Sequence, residues 1–343
     1  MSAGPEVSSA VADRTAKIVR FHKLGGPEVL RIEEMPLPEP GPGEARLRVQ
    51  AIGLNRSEVS FREGKYLVHP VLPSKLGYEA AGVVEAVGEG VSRALLGQKR
   101  STVPAFSADK YGVYGEVAIV PEHALAAYPE ELTPEQATSI WMQYLTAYGA
   151  LIHFGRMAKS DFVLITAASS SVGVATIEMV KVEGAISIAT TRSASKKAEL
   201  LSLGANHVIV SGEEDVANRV KEITGGKGAR LIFDSVAGPG IKKLAEAAAE
   251  QGMMFLYGAL SGESTPFPLY ATLKKHLWIK GYTVFEFAMD PVQRGAAEKY
   301  VYDHVASRDF RPRIDRVFKL AEIAEAHRYM ESNAQIGKIV VTI

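Results

Sequence analysis

The residues best suited to hold a cofactor fall in two short segments, 165–174 and 190–196. In the first, the apolar run "DFVLIT" gives way to Ala167, Ala168, Ser169, Ser170, Ser171, Val172 and Gly173. A dinucleotide-binding turn of the form G-x-G-x-x-G uses its first glycine for the tight turn, its second for backbone approach to pyrophosphate and its third for helix-on-strand packing. Laid on that template from Ala168 to Gly173, only the packing glycine survives. Alanine and serine are the smallest replacements, and a serine can cap the helix that follows. The attraction for anions belongs to the helix N-terminus itself, so the loss of two glycines weakens the motif without abolishing it. Read alone, the loop suits a plain helix cap as well as it suits Ser170, Ser171, Val172 and Gly173 cradling a pyrophosphate.

The second segment supplies context. About 20 residues after such a turn, an NAD-specific fold places Asp or Glu against the ribose hydroxyls. Here stand Thr190, Thr191, Arg192 and Ser193, with Lys196 one helical turn later. A hydroxyl and two cations suit a 2′-phosphate, so NADPH is the expected cofactor. The plainer alternative is solvated charge at a helix start, but cations sit poorly against a positive helix N-terminus unless an anion is near.

The balance of charge and the absence of cysteine narrow the chemistry further. Lys plus Arg and Asp plus Glu each total 39, so no basic field marks a nucleic-acid or anionic-membrane surface. With no cysteine there is no disulfide, thiolate nucleophile or sulfur-ligated zinc, and the eight histidines form no H-x-x-x-H pair. A cytoplasmic protein with a loose N-terminal tail is expected. No G-x-S-x-G elbow, Walker loop or H-E-x-x-H occurs. Tyr270 and Lys274 have the spacing of a short-chain dehydrogenase acid/base pair, but they lie far from any N-terminal glycine loop and are read as coincidence.

Two kinds of element must position these residues. From 17 to 135 the chain is rich in Pro, Gly and short Val/Ile runs, a β-rich, barrel-like pattern. From about 136 strands alternate with helical stretches: "FVLIT" (162–166), a helix from 171, "AISIAT" (185–190), a helix over 193–204, "HVIV" (207–210), a helix from 215, "ARLIFDS" (229–235), a helix from 239, and "MMFLYG" (253–258). That is the signature of a doubly wound α/β domain with a parallel sheet. A strand over 277–284 and a helical stretch to about 307 follow, and "QIGKIVVTI" reads as a strand returning to the first domain.

Together these residues resemble the medium-chain dehydrogenase/reductase superfamily in its zinc-independent quinone oxidoreductase and enoyl reductase branch. The resemblance covers about residues 17–343 and rests on "GGPEVLRIEEMPLPEPGPGEARLRVQAIGLN" (25–55), "PSKLGYEAAGVVEAVGEGV" (73–91), "YLTAYGAL" (144–151), the Ala168–Gly173 loop, "LGANHVI" (203–209), "FDSVAG" (233–238) and "GKIVV" (337–341). It implies a GroES-like catalytic domain (17–135 and 286–343), a Rossmann domain (136–285) and NADPH in the cleft between them, with 1–16 as the tail. It also implies that Asn55 and Tyr66 are active-site residues, that Asn55 and Thr146 face the nicotinamide, and that Arg192 and Lys196 hold the 2′-phosphate. Thr191, Ser211, Tyr257 and Asn333 join the cofactor set. Arg56-Ser57-Glu58 stands where zinc relatives carry a catalytic Cys, and Glu79 without Cys or His partners reads as a structural group.

The implied reaction is metal-free hydride delivery to an activated C=C bond or a quinone, with Tyr66 donating to the developing oxyanion. Ser60 and Glu58 replace a Tyr and an Asp of some quinone reductases, which weakens a strict quinone preference. A non-catalytic NADPH-binding protein and a zinc-independent alcohol dehydrogenase or carbonyl reductase stay open beside it. The segment "HLWIKGYTVF" (276–285) reads as a sheet edge, and the resemblance implies that it pairs with its mate in a homodimer.

Overall fold

Apolar runs that read as strands assemble into one fully parallel six-stranded sheet, in the computed structural model that describes residues 14–343. Its order is His207–Val210, Ile186–Thr191, Phe162–Ile165, Ala229–Asp234, Ala248–Leu256, Trp278–Gly281. Numbered along the chain that is 3-2-1-4-5-6, the Rossmann order. Val163, Leu164, Ile165, Leu231, Ile232 and Phe233 are all buried, as central parallel strands covered on both faces must be. Chain order reverses between Phe162–Ile165 and Ala229–Asp234, and ligands bind outside the carboxyl ends of strands at such a switch point.

The second large sheet is mixed. The strand Glu44–Gly53 pairs antiparallel with Glu79–Val87, with Val117–Pro121 over its first half and with the returning strand Lys338–Thr342 at its end. The register Val340↔Gly53 fixes the chain's C-terminal strand against the N-terminal sheet. Thr15–Arg20 and Arg31–Pro36 form a separate antiparallel pair. Thr15 and Ala16 therefore open a strand, because Ala16 and Ile18 pack on Val117, and only 1–13 of the expected tail lies outside the described residues.

Element positions differ from expectation mainly at their ends. The edge strand is confined to Trp278–Gly281, with Tyr282 and Val284 turned into the core. The stretch after Ser193 begins as a 3₁₀ turn, Ala194–Lys196, before the helix Lys197–Ser202. The helix Pro291–Ala306, expected with the N-terminal domain, packs on Trp141–Tyr148, which itself lies against Ser171–Val182. Its buried stripe, Ala297, Val301 and Val305, gives it no other place to dock.

Gly173 has the role that the sequence template assigns to the third glycine. A Cβ there would lie 2.5 Å from the carbonyl oxygen of Ala168 and 2.6 Å from its Cα. The helix Ser171–Val182 can approach its strand only without a side chain at that position. Gly173→Val is accordingly expected to destabilise the chain by about 1–3 kcal/mol or more through forced separation of helix and strand. A urea melt that leaves the midpoint unchanged would contradict that packing.

Candidate cofactor and active site

The glycine-poor loop turns by another means. Ala167 takes a left-handed conformation, φ +44°, and the Ala168 amide then donates to Thr190 O at 3.1 Å. Ser170 caps the helix, its Oγ accepting from the Gly173 amide at 3.1 Å. The Val172 amide has no acceptor among the described residues and stays available at the positive end of the helix, while the bridge between Ser170 and Gly337 directs the Ser171 amide at the segment before the last strand.

This loop forms the floor of a cavity of about 830 Å³ outside the carboxyl ends of the parallel strands. The cavity gathers Ser170, Thr191, Arg192, Lys196, Ser211 and Asn333 from the sequence reading and adds Arg56, Ser169 and Gln335. Arg192 is exposed and makes no hydrogen bond or ion pair among the described residues. Lys196 is engaged: its ammonium donates to Ser169 Oγ at 3.1 Å and to Asn333 O and Gln335 O, each at 2.8 Å. Those bonds use all three lysine donors and tie the loop to the segment before the last strand. The Gly337 amide adds a fourth tie, to Ser169 O at 2.9 Å.

No acidic side chain is free to meet a ribose at the end of the second strand. Asp234 lies in the wall but is fully buried, accepting from Thr166 Oγ1 at 2.6 Å and from the amides of Val236 and Ala237 at 3.0 and 2.9 Å. Tyr257 stacks on Phe233 at 4.0 Å and stands beside Ser170. The hydroxyls of Tyr257 and Ser235 and the side-chain amide oxygen of Gln335 are buried without a hydrogen-bond partner among the described residues. Orphaned polar atoms, an open helix N-terminus and an unpaired arginine together fit a phosphorylated dinucleotide.

The residues expected from the sequence to face the nicotinamide belong to a buried network instead of the cavity wall. Lys338 and Glu79, both fully buried, form an ion pair. Glu79 also accepts from the Met142 amide at 2.8 Å and from Asn55 Nδ2 at 3.1 Å, while Asn55 Oδ1 accepts from Lys338 Nζ at 2.8 Å. Glu58 lies alongside, taking the amides of Asn55 at 2.7 Å and Tyr78 at 3.1 Å together with the Tyr114 hydroxyl. Burial, partly offset by those bonds, pushes the Glu58 carboxyl up to about 7. Thr146 turns its hydroxyl back to Met142 O on its own helix. Tyr66 is half-buried beside Tyr78 and Ser57, and burial pushes its phenol up to about 12, so it is a proton-bearing donor near neutral pH.

Comparison with known proteins agrees with this geometry. A model described as "Zinc-binding dehydrogenase" matches residues 171–298, and one described as "Alcohol dehydrogenase GroES-like domain" matches 41–130. A quinone oxidoreductase of Pseudomonas aeruginosa is 32% identical, covering 95% of this chain and 99% of its own. The chain belongs to the zinc-independent quinone oxidoreductase branch of the medium-chain dehydrogenase/reductase superfamily. Another relative of this family, a 2-haloacrylate reductase of a Burkholderia species, is 30% identical over 94% of this chain and 97% of its own. The solved quinone oxidoreductase of Escherichia coli, complexed with NADPH, superposes with a TM-score of 0.89 at 30% identity, over 96% of this chain and all of that one.

Within this family's fold, the structure separates the residues singled out in the sequence. Ser170, Thr191, Arg192, Lys196, Ser211 and Asn333 meet at one cavity, with Ser171, Val172 and Gly173 in its floor helix and Tyr257 beside it. Asn55, Thr146 and Tyr66 lie away from that wall. Among the described residues no three His, Cys, Asp or Glu side chains group as a metal site, and Glu79 is committed to Lys338. Tyr270 is 86% exposed on the helix Leu269–Lys275, remote from the cavity. Sequence reasoning missed Arg56 and Lys338. Each carried a signal: Arg56 is a cation at the positive start of a helix, and Lys338 sits inside an apolar strand where only a partner could keep it.

Lys338→Met would leave the Glu79 carboxylate buried and unpaired, a change expected to cost about 3–5 kcal/mol. Adding Glu79→Gln should recover part of that loss in denaturant melts; additive losses would show the two groups to be independent. A second expectation concerns pH. The folded Glu58 carboxyl, at about 7, holds its proton above the ordinary value of 4.5, so its contribution is present at low pH and lost as pH rises from 4.5 to about 7. Glu58→Gln should remove that component, and the difference in stability between wild type and variant should change across this window and be flat outside it.

Proposed function

We propose that the protein is an NADPH-dependent, metal-free oxidoreductase that reduces a C=C bond conjugated to a carbonyl, or a quinone. The observation that carries this reading is the cavity at the sheet's switch point, which sets a helix N-terminus beside the unpaired cation Arg192 and places no carboxylate at the end of the second strand. Two relatives, a quinone oxidoreductase and a 2-haloacrylate reductase, take by their names carbonyl-conjugated acceptors, which supports this reading. Bound NADPH supplies the hydride.

The chain's own groups orient and stabilise. Tyr66, kept protonated by burial, donates a hydrogen bond to the substrate oxygen as negative charge grows there. Asn55 spends its side chain on Glu79, Lys338 and Gly53, so it acts by fixing the start of the helix Arg56–Arg62. The proton that completes reduction comes from solvent. A panel of enones, alkenals, enoyl thioesters and quinones, followed by NADPH absorbance, tests the reading. Turnover with at least one class is expected; tight NADPH binding with no turnover on any would leave a cofactor-binding protein without this chemistry.

Arg192→Ala should weaken NADPH binding about ten-fold or more, the worth of one charge-assisted hydrogen bond of ~1.5–3 kcal/mol, and leave NADH nearly unchanged. Equal losses for both cofactors would sink the assignment of Arg192 to the 2′-phosphate.

A second copy of the chain completes the Rossmann sheet in this reading. The strand Trp278–Gly281 is the sheet's edge, and beside it Phe267, Leu269, Tyr270, Leu273 and Trp278 stand exposed, Trp278 at 67%. An isologous pairing satisfies the open ladder and covers those side chains together. Light scattering at micromolar concentration should return twice the chain mass of 36.9 kDa, and Trp278→Glu should lower it; a monomer in both cases rejects the dimer. The absence of cysteine suits the reducing cytoplasm, where the reading places the protein. No helix among the described residues is long and apolar enough to cross a membrane.

A further inference from the structure

Arg56 is a cation without a counterion at the mouth of the cofactor cavity. It opens the helix Arg56–Arg62 of the catalytic sheet's side of the molecule, yet it lines the same cavity as Arg192 and Lys196 of the Rossmann side. Its partners among the described residues are neutral: Nη1 donates to Met330 O at 2.9 Å and to Asn333 Oδ1 at 3.3 Å. The acids that bear on it, Glu331 and Glu63, are already paired with the buried Arg62, at 2.8 and 3.9 Å. The rest of its guanidinium donors are unused. Burial and the nearby Arg62 and Arg192 disfavour the charge on this half-buried arginine, Glu331 and Glu63 offset part of that cost, and an anion in the cavity would offset more.

Lys196 narrows the assignment. With its three donors spent on Ser169, Asn333 and Gln335, it ties the pyrophosphate loop to the C-terminal segment and has none left to offer. Asn333 is common to both cations, its backbone oxygen held by Lys196 and its side-chain oxygen by Arg56. We propose that Arg56 is a cofactor-specificity residue: with Arg192 it binds the 2′-phosphate of NADPH, while Lys196 serves as the strap that holds Asn333 and Gln335 in place. A phosphate monoester carries about −1.5 to −2 charge near neutral pH, which two guanidinium groups balance. Because the two arginines come from different units of the molecule, the phosphate joins those units as well as selecting the cofactor.

The proposal rests on the NADPH reading, and the test separates their failures. Calorimetric titration with 2′,5′-ADP and with 5′-AMP probes the adenosine half alone, with no turnover involved. Wild type should prefer 2′,5′-ADP; Arg56→Ala should weaken 2′,5′-ADP about ten-fold or more and 5′-AMP by less than about two-fold. Arg56→Lys, which keeps a point charge and loses the planar fork, should fall between and serves as the comparison if the alanine variant melts early. Lys196→Ala should weaken both ligands alike. Equal loss of both ligands in the Arg56 variants, or an unchanged preference in them while Arg192→Ala abolishes it, overturns the role of Arg56 and leaves NADPH in place. A wild type that does not distinguish the two ligands overturns both readings.

Discussion

A single buried ion pair joins four separate parts of the chain. Lys338 arrives on the returning strand, Glu79 stands at the start of its strand in the N-terminal sheet, Asn55 caps the helix that carries Arg56, and Met142 begins the helix that carries Thr146. Two charges taken out of water are costly, and their attraction offsets the cost only when other hydrogen bonds satisfy what remains. Here Glu79 accepts from three groups and Lys338 donates to two, so the pair is stable only while all four parts are in register. Gly53 makes the approach possible, since a Cβ there would fall 2.2 Å from Thr138 O and 2.8 Å from Lys338 Cε. Glu79, which has no Cys or His partner, thus locks this scaffold.

The cofactor side is organised by an opposite principle. Where the catalytic side closes every charge in a buried network, the cavity keeps cations and amides open. Arg192 is exposed and unpaired, the Val172 amide has no acceptor among the described residues, and Asp234, a buried carboxylate in the wall, is consumed by a turn. An anion of matching shape meets donors already in place and little reorganisation is needed. Lys196 and the Gly337 amide keep that arrangement fixed by strapping the loop to the segment 333–337. The loss of two glycines from the turn is compensated locally: Ala167 carries the left-handed turn and Ser170 the cap, while the glycine that touches backbone, Gly173, is retained.

Periodicity and small-residue chemistry, read from the sequence alone, determined the α/β class, the six parallel strands to within a few residues and the return of "GKIVV" to the first sheet, and they singled out Ser170, Thr191 and Arg192, which the fold gathers at one cavity. These depend on local rules: strand runs, caps, and the unfavourable placement of cations at a helix start. Only the tertiary structure decided the partners. Lys196 and Arg192 lie four positions apart and look alike in sequence, yet one is fully engaged by backbone oxygens from residues 333 and 335 and the other is free. Arg56 and Lys338 entered the picture because contacts spanning 277 and 283 positions bring them to Asn333 and Asn55. Which charge is spent and which is available depends on distances between segments remote in sequence, and no local pattern encodes those distances.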